Sequence, residues 1–72
     1  MDKEKVWISN MDENKLEGLT SLGVGNYYGG AYVALYKGDY VITCENYDGI
    51  HGRTISKEFY EACEKEFGKE VH

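Results

Sequence analysis

Three side chains in this chain of 72 residues could take part in acid–base or nucleophilic chemistry. His51 is the plausible general base, and Cys44 and Cys63 are the conceivable nucleophiles. Each also has a structural explanation, because the histidine follows a turn and small thiols commonly pack in cores. A small sheet under one helix leaves little interior for a shielded pocket. The sequence therefore predicts no catalytic residues and no enzyme, with a small enzyme using His51 and a cysteine as an alternative.

Metal and phosphate sites are disfavoured by residue spacing. A zinc site needs three or four convergent ligands, and His51 and the two cysteines are spread along the sequence. Asp12 and Asn14 have the spacing that begins a calcium loop, but glycine falls at Gly18 and not at the required sixth position. The glycines of segment 23–30 lack the dinucleotide-binding spacing, and the pattern that follows them is a strand. We therefore expect neither a metal nor a cofactor.

The charge and the apolar pattern restrict the class of partner. The formal net charge is −5, from 13 acidic and 8 basic side chains, and Arg53 is the lone arginine. This average field repels phosphate backbones and attracts basic protein surfaces. No signal peptide opens the sequence, and no apolar run approaches membrane length. We expect a cytoplasmic protein with reduced thiols that binds a protein partner, with no direct contact to nucleic acid or membrane.

The strand pattern predicts a small antiparallel sheet within one domain, residues 1–72. A hairpin spans 31–46, and a turn at Lys37-Gly38-Asp39 joins its strands. Further strands near 5–9 and 51–55 bring the sheet to about three or four strands. Together with the helices described next, this pattern is typical of the α+β class.

One helix is indicated clearly and a second weakly. Ser56 is a favourable N-cap and Gly68 a favourable end for a helix over 57–67. Helical spacing gives it an apolar stripe that we expect to pack on the sheet, consisting of Phe59, Ala62, Cys63 and Phe67. A short helix over 11–19 is also compatible with the pattern, with an ordered loop as the alternative.

Alternation along the hairpin sorts its side chains onto two faces. A two-residue loop at either Lys37-Gly38 or Gly38-Asp39 produces the same sorting. We expect the helix to cover the face formed by Ala31, Val33, Leu35, Tyr40, Ile42 and Cys44. The other face consists of Tyr32, Ala34, Tyr36, Val41, Thr43 and Glu45. If segment 12–22 does not pack over this second face, it forms an apolar patch with a polar rim, as interfaces commonly do.

The candidate partner-binding residues combine phenol rings with carboxylates. Rings can anchor an interface, and acids can steer the encounter with a basic surface. The segment 23–30 reads as a glycine-rich loop, and its two tyrosines join the candidates. The predicted binding residues are Tyr27, Tyr28, Tyr32, Tyr36, Val41, Glu45 and Asp48. A structural homo-oligomer, such as a homodimer assembled through the tyrosine face or the sheet edges, is the alternative.

The predicted architecture resembles a known group of proteins. A very small acidic chain with a short N-terminal helical piece, a tight glycine-turn hairpin and an acidic helix is similar to phage-encoded inhibitors of bacterial defence, including some anti-CRISPR proteins. The residues that carry this resemblance are Tyr32 to Thr43 and Ser56 to Phe67. The resemblance is one of architecture and charge, and it transfers no functional residue. It implies an inhibitor that acts in the host cytoplasm by docking on a basic, nucleic-acid-handling host protein.

Overall fold

The computed structural model describes residues 6–68 of the chain. The elements are β1 (Trp7–Ile8), a 3-10 turn (Glu13–Lys15), β2 (Leu16–Asn26), β3 (Gly29–Tyr36), β4 (Asp39–Asn46), β5 (Gly49–Thr54) and α1 (Lys57–Phe67). The strands form one antiparallel sheet in the order β1-β5-β4-β3-β2. The expected α+β fold is therefore confirmed, although the sheet has five strands. Lys5, where the first expected strand begins, lies outside the described residues.

The β3–β4 hairpin turns at Lys37 and Gly38. Their φ angles are 51° and 88°, and the primed turns of two-residue hairpins need such positive values. Val33 consequently lies opposite Ile42 in the ladder. Of the two registers compatible with the sequence, the structure has the one with the Lys37-Gly38 loop.

Helix α1 packs on the face of the sheet that alternation assigned to it, although Cys44, which was expected under the helix, is exposed. Val33, Tyr60 and Cys63 are buried there, and the partly buried residues around them are Leu22, Tyr40, Ile42 and Ile55. The predicted helix bounds are confirmed, and the Ser56 hydroxyl accepts a hydrogen bond from the Phe59 N–H at 3.0 Å. This contact begins the helix as predicted.

The apolar stripe of α1 differs from the predicted one. Phe59 and Phe67 are 46% and 43% exposed, whereas Tyr60 is buried. Tyr60 replaces Phe59 because its ring reaches the core beside Ile55 and its hydroxyl donates to the Gly18 carbonyl at 2.9 Å. A tyrosine is well suited to this site, since it buries an apolar ring while its polar tip finds an acceptor.

The opposite face of the sheet is partly covered by the segment between β1 and β2. Met11 packs there with Ala34, Tyr36 and Val41, all buried, and Ile8, Leu16 and Ile50 surround them. The Asp12 N–H donates a hydrogen bond to the Tyr36 hydroxyl oxygen at 3.0 Å, which holds the segment between β1 and β2 against the sheet. Of the two arrangements that the sequence left open, the structure has the covered one at Tyr36 and Val41, because Met11 and its neighbours bury both side chains.

Strand β2 takes up the second half of the expected helix over 11–19, and the expected loop over 23–30 consists of the end of β2, a two-residue turn and the start of β3. Within segment 11–19, the only helical residues are those of the 3-10 turn, where the Asp12 carboxylate accepts a hydrogen bond from the Asn14 N–H at 3.0 Å. The strand that follows is interrupted by two register shifts. Gly18 and Gly23 lie at these shifts with φ angles of 59° and 75°. Bulges of this kind let a glycine-rich segment pair as a strand. In residues 6–68, no helix is both long enough and apolar enough to span a membrane.

Burial under α1 makes the core sensitive to high pH. Desolvation raises the pKa of the Cys63 thiol, and desolvation followed by the charge of Glu64 raises the pKa of the Tyr60 phenol. The unfolded chain therefore loses these protons at a lower pH than the folded chain does. We expect the free energy of unfolding to be fully retained below about pH 8.5 and to fall as pH rises above it, by at most about 1.4 kcal/mol per pH unit for each proton.

Urea titrations followed by circular dichroism across this pH range measure the effect. A Cys63→Ala variant is expected to show a shallower fall than the wild type. A free energy of unfolding that stays constant through the thiol range would contradict the assigned burial.

The contact between Gly18 and Tyr60 can be tested with a matched pair of glycines. An alanine Cβ at Gly18 would lie 3.0 Å from the Tyr60 hydroxyl oxygen, whereas at Gly23 it would meet nothing within 4 Å. Both positions have positive φ, which costs alanine roughly 1–2 kcal/mol. We expect Gly18→Ala to lower the free energy of unfolding by more than Gly23→Ala does. The additional loss of unfolding free energy caused by Gly18→Ala, relative to Gly23→Ala, should vanish when Tyr60 is replaced by phenylalanine. If this additional loss is the same with Tyr60 and with phenylalanine at position 60, the contact is refuted.

Candidate functional site

The β2–β3 and β4–β5 turns lie at the same end of the sheet and share one sequence pattern. Residues 26–29 read Asn-Tyr-Tyr-Gly and residues 46–49 read Asn-Tyr-Asp-Gly. The Asn26 Oδ1 accepts from the N–H groups of Tyr28 and Gly29 at 2.7 and 3.2 Å, and the Asn46 Oδ1 accepts from the Asp48 N–H at 3.1 Å. Asparagine side chains in such turns satisfy backbone donors locally. Each turn is therefore braced by its own first residue.

A further hydrogen bond joins the two turns. The Asn26 amide nitrogen donates to the Glu45 carbonyl oxygen at 2.9 Å. Because β2–β3 and β4–β5 are separate hairpins, this contact fixes the position of one turn against the other. The side chains on both turns are consequently held in a defined arrangement.

Three tyrosine rings project from these braced turns. Tyr27, Tyr28 and Tyr47 are 92%, 53% and 81% exposed. The Tyr27 and Tyr28 rings meet edge to face with centroids 5.1 Å apart, and the Tyr28 and Tyr47 centroids are 6.2 Å apart. These are favourable aromatic geometries, so the rings support one another while remaining open to solvent.

The aromatic surface continues to β1 through a histidine. The Nε2 of buried His51 lies 2.8 Å from Oδ1 of Asp48, the residue that follows Tyr47. The Trp7 ring stacks on the His51 ring with an interplanar angle of 6° and a centroid distance of 6.3 Å, and it is 64% exposed. We call the set Trp7, Tyr27, Tyr28, Tyr47 and His51 the aromatic band.

The predicted binding residues divide into three groups. Tyr27, Tyr28 and Asp48 lie in or beside the aromatic band. Tyr32 and Glu45 are half-buried on the sheet face opposite α1, whereas Tyr36 and Val41 are buried beneath Met11 and cannot contact a partner directly. Sequence reasoning missed Tyr47 and Trp7 as surface residues. The repeated Asn-Tyr-x-Gly pattern is the signal that could have identified Tyr47.

The arrangement around His51 bears on acid–base chemistry. Cys44 is exposed and lies directly across the β4–β5 ladder from His51. However, the His51 Nδ1 accepts from the Asn10 N–H at 3.3 Å, so the proton is assigned to Nε2, which faces Asp48. Both ring nitrogens are thus engaged, and neither is directed at the thiol. Within the described part of the chain, no three His, Cys, Asp or Glu side chains converge as metal ligands would.

Comparisons with protein-family models, with curated proteins and with solved structures give no match to this chain. The fold and the surface therefore define a class in physical terms only. The molecule is a small α+β sheet protein that carries an exposed, braced aromatic surface.

The two cysteines should differ sharply in reactivity. Cys44 is exposed, whereas Cys63 is buried under α1 with its thiol pKa raised by desolvation. In the folded protein, we expect Ellman's reagent to modify Cys44 promptly and Cys63 only after denaturation. A Cys63→Ala variant serves as the control and should retain the fast reaction. Equal rates for both thiols in the folded protein would contradict the packing of α1.

Proposed function

We propose that this protein is a small protein-binding module that docks through its aromatic band on a basic surface of a partner protein. The observation that carries the proposal is the exposure of three tyrosines on turns that are braced by hydrogen bonds, together with the exposure of Trp7 on β1. Monomeric proteins rarely expose a cluster of large rings without a binding role, and tyrosine and tryptophan are the side chains that most often dominate interface energies.

The rigidity of the turns supports this function. A binding surface that is already ordered loses less conformational entropy on association than a flexible loop. Asn26 braces the turn of Tyr27 and Tyr28 and also contacts the neighbouring hairpin. A tyrosine side chain adds only two rotatable angles, so its own ordering cost is small. The aromatic band is therefore suited to fill pockets on a partner.

The charge of the chain supports a basic partner. The net charge is −5, and Asp48 lies beside the aromatic band, in contact with His51. Acidic groups around an apolar anchor accelerate encounter with a positive surface and repel nucleic acid. The resemblance of the hairpin and the acidic helix to those of phage-encoded inhibitors extends the proposal to a nucleic-acid-handling host protein in the cytoplasm, where the two cysteines would stay reduced.

Two features of the structure disfavour the alternative functions, a small enzyme and a homo-oligomer. The engaged nitrogens of His51 argue against a general-base role toward Cys44. Strand β2 lies at an edge of the sheet, where a second copy could pair, but its two register shifts disfavour regular pairing. We therefore place the protein–protein function ahead of a homo-oligomer and ahead of an enzyme.

Exposed rings can be removed without loss of the fold, which makes the proposal testable. We expect a Tyr27→Ser, Tyr47→Ser double variant to fold normally and to bind the partner at least about 30-fold more weakly, since hot-spot residues contribute about 2 kcal/mol or more. The partner is first isolated from a bacterial lysate with tagged wild-type protein and identified by mass spectrometry. Its affinity for each variant is then measured with the purified pair.

A matched control uses the helix. Phe59 is another exposed ring, but it lies on α1 outside the aromatic band, so Phe59→Ser should leave the affinity unchanged. The association rate should fall as salt is raised from about 50 to 300 mM, because steering is screened. Equal affinity of the double variant and the wild type would refute the proposal. Sedimentation as a dimer that dissociates in the double variant would assign the band to self-association instead.

A further inference from the structure

A groove lies on the sheet face opposite α1, beside the region that Met11 covers. It is lined by apolar side chains and flanked by two carboxylates. The residues that form it are Leu16, Leu19, Tyr32, Thr43, Ile50, Glu13 and Glu45. It is a surface distinct from the aromatic band, which occupies the end of the sheet.

Two glycines make room for the side chains that border the groove. A Cβ at Gly30 would lie 3.6 Å from the Tyr32 ring, and a Cβ at Gly29 would collide with the Glu45 side chain. The ring and the carboxylate thus lie over a stretch of strand that has no side chains of its own. At the edge strand, Leu19 remains 51% exposed. The groove is therefore bordered by apolar side chains and by the Glu45 carboxylate, which lies over Gly29.

The charge of the groove is uncompensated within the described part of the chain. Glu45 is half-buried, and neither Glu45 nor Glu13 forms an ion pair with a lysine or arginine among residues 6–68. Glu13 is exposed and Glu45 is partly buried, so the two carboxylates attract a cation placed between them. The Tyr32 ring adds a face that favours a cation further.

We propose that this groove binds an extended segment of the partner in which a lysine or arginine alternates with apolar residues. The cationic group would lie between Glu13 and Glu45, close to the Tyr32 ring, and the apolar side chains would contact Leu19 and Ile50. The inference rests on the protein-binding function proposed above, but it adds a second surface and specifies the chemistry of its ligand.

A synthetic peptide tests the groove without the natural partner. The probe is a capped heptapeptide of alternating lysine and leucine, titrated into the ¹⁵N-labelled full chain and followed by NMR. We expect saturable shifts of the amides of Thr43, Glu45 and Ile50. A Glu13→Gln, Glu45→Gln double variant should bind about tenfold more weakly, as expected when close charge pairs are lost. A peptide with glutamate in place of lysine should not bind.

Two control variants separate this proposal from its alternatives. Glu58→Gln with Glu66→Gln removes the same charge from α1 and should leave the peptide affinity unchanged. If both charge variants weaken binding equally, or if the shifts lie on α1, the attraction is non-specific and the groove proposal fails. Shifts that depend on protein concentration without peptide would assign the groove to a second copy and overturn the proposal. The Tyr27→Ser, Tyr47→Ser variant should retain peptide binding, so failure at the aromatic band remains distinguishable.

Discussion

The two-residue turn at Lys37 and Gly38 sets the register of the central hairpin, and the other surfaces follow from that register. Positive φ at both residues closes the turn without an extra residue, so Val33 and Ile42 share one face while Ala34 and Val41 share the other. A slip of one residue between the two strands would place Val41 on the same face as Val33 and Ile42 on the same face as Ala34. The two small apolar clusters on either side of the sheet would then each lose the residues that one strand contributes.

The end of the sheet away from the Lys37-Gly38 turn is stabilised by side-chain hydrogen bonds. There, asparagine side chains brace two turns of the Asn-Tyr-x-Gly type, and the tyrosines are left on the outside. In so small a chain, large rings that could enlarge the core are placed in solvent instead. This placement forgoes burial energy, which is why we assign the aromatic band to recognition. The groove beside Tyr32 adds a second, acidic surface on another side of the molecule.

Local patterns were sufficient for the hairpin and for the helix over 57–67, because caps, turn residues and alternation all act over a few positions. They failed for β2, where the leucine spacing suggested a helix and the glycines suggested a loop. The bulges at Gly18 and Gly23 are stabilised by pairing with β3, which local spacing does not reveal. The burial of Tyr36 likewise depends on Met11, a contact across 25 positions of sequence. The contact between Tyr28 and Tyr47 could not be predicted from local patterns either, because it depends on the order of the strands in the sheet.

The sorting of the hairpin faces can be measured directly in solution by a nuclear Overhauser experiment between aromatic and methyl protons. We predict contacts from the Tyr60 ring to the methyl groups of Val33 and Ile42, and from the Met11 methyl group to Ala34 and Val41. Contacts from the Tyr60 ring to Val33 together with Val41, or to Ala34 together with Ile42, would show that the register is shifted by one residue. That result would contradict the fold described here and both of the proposed binding surfaces.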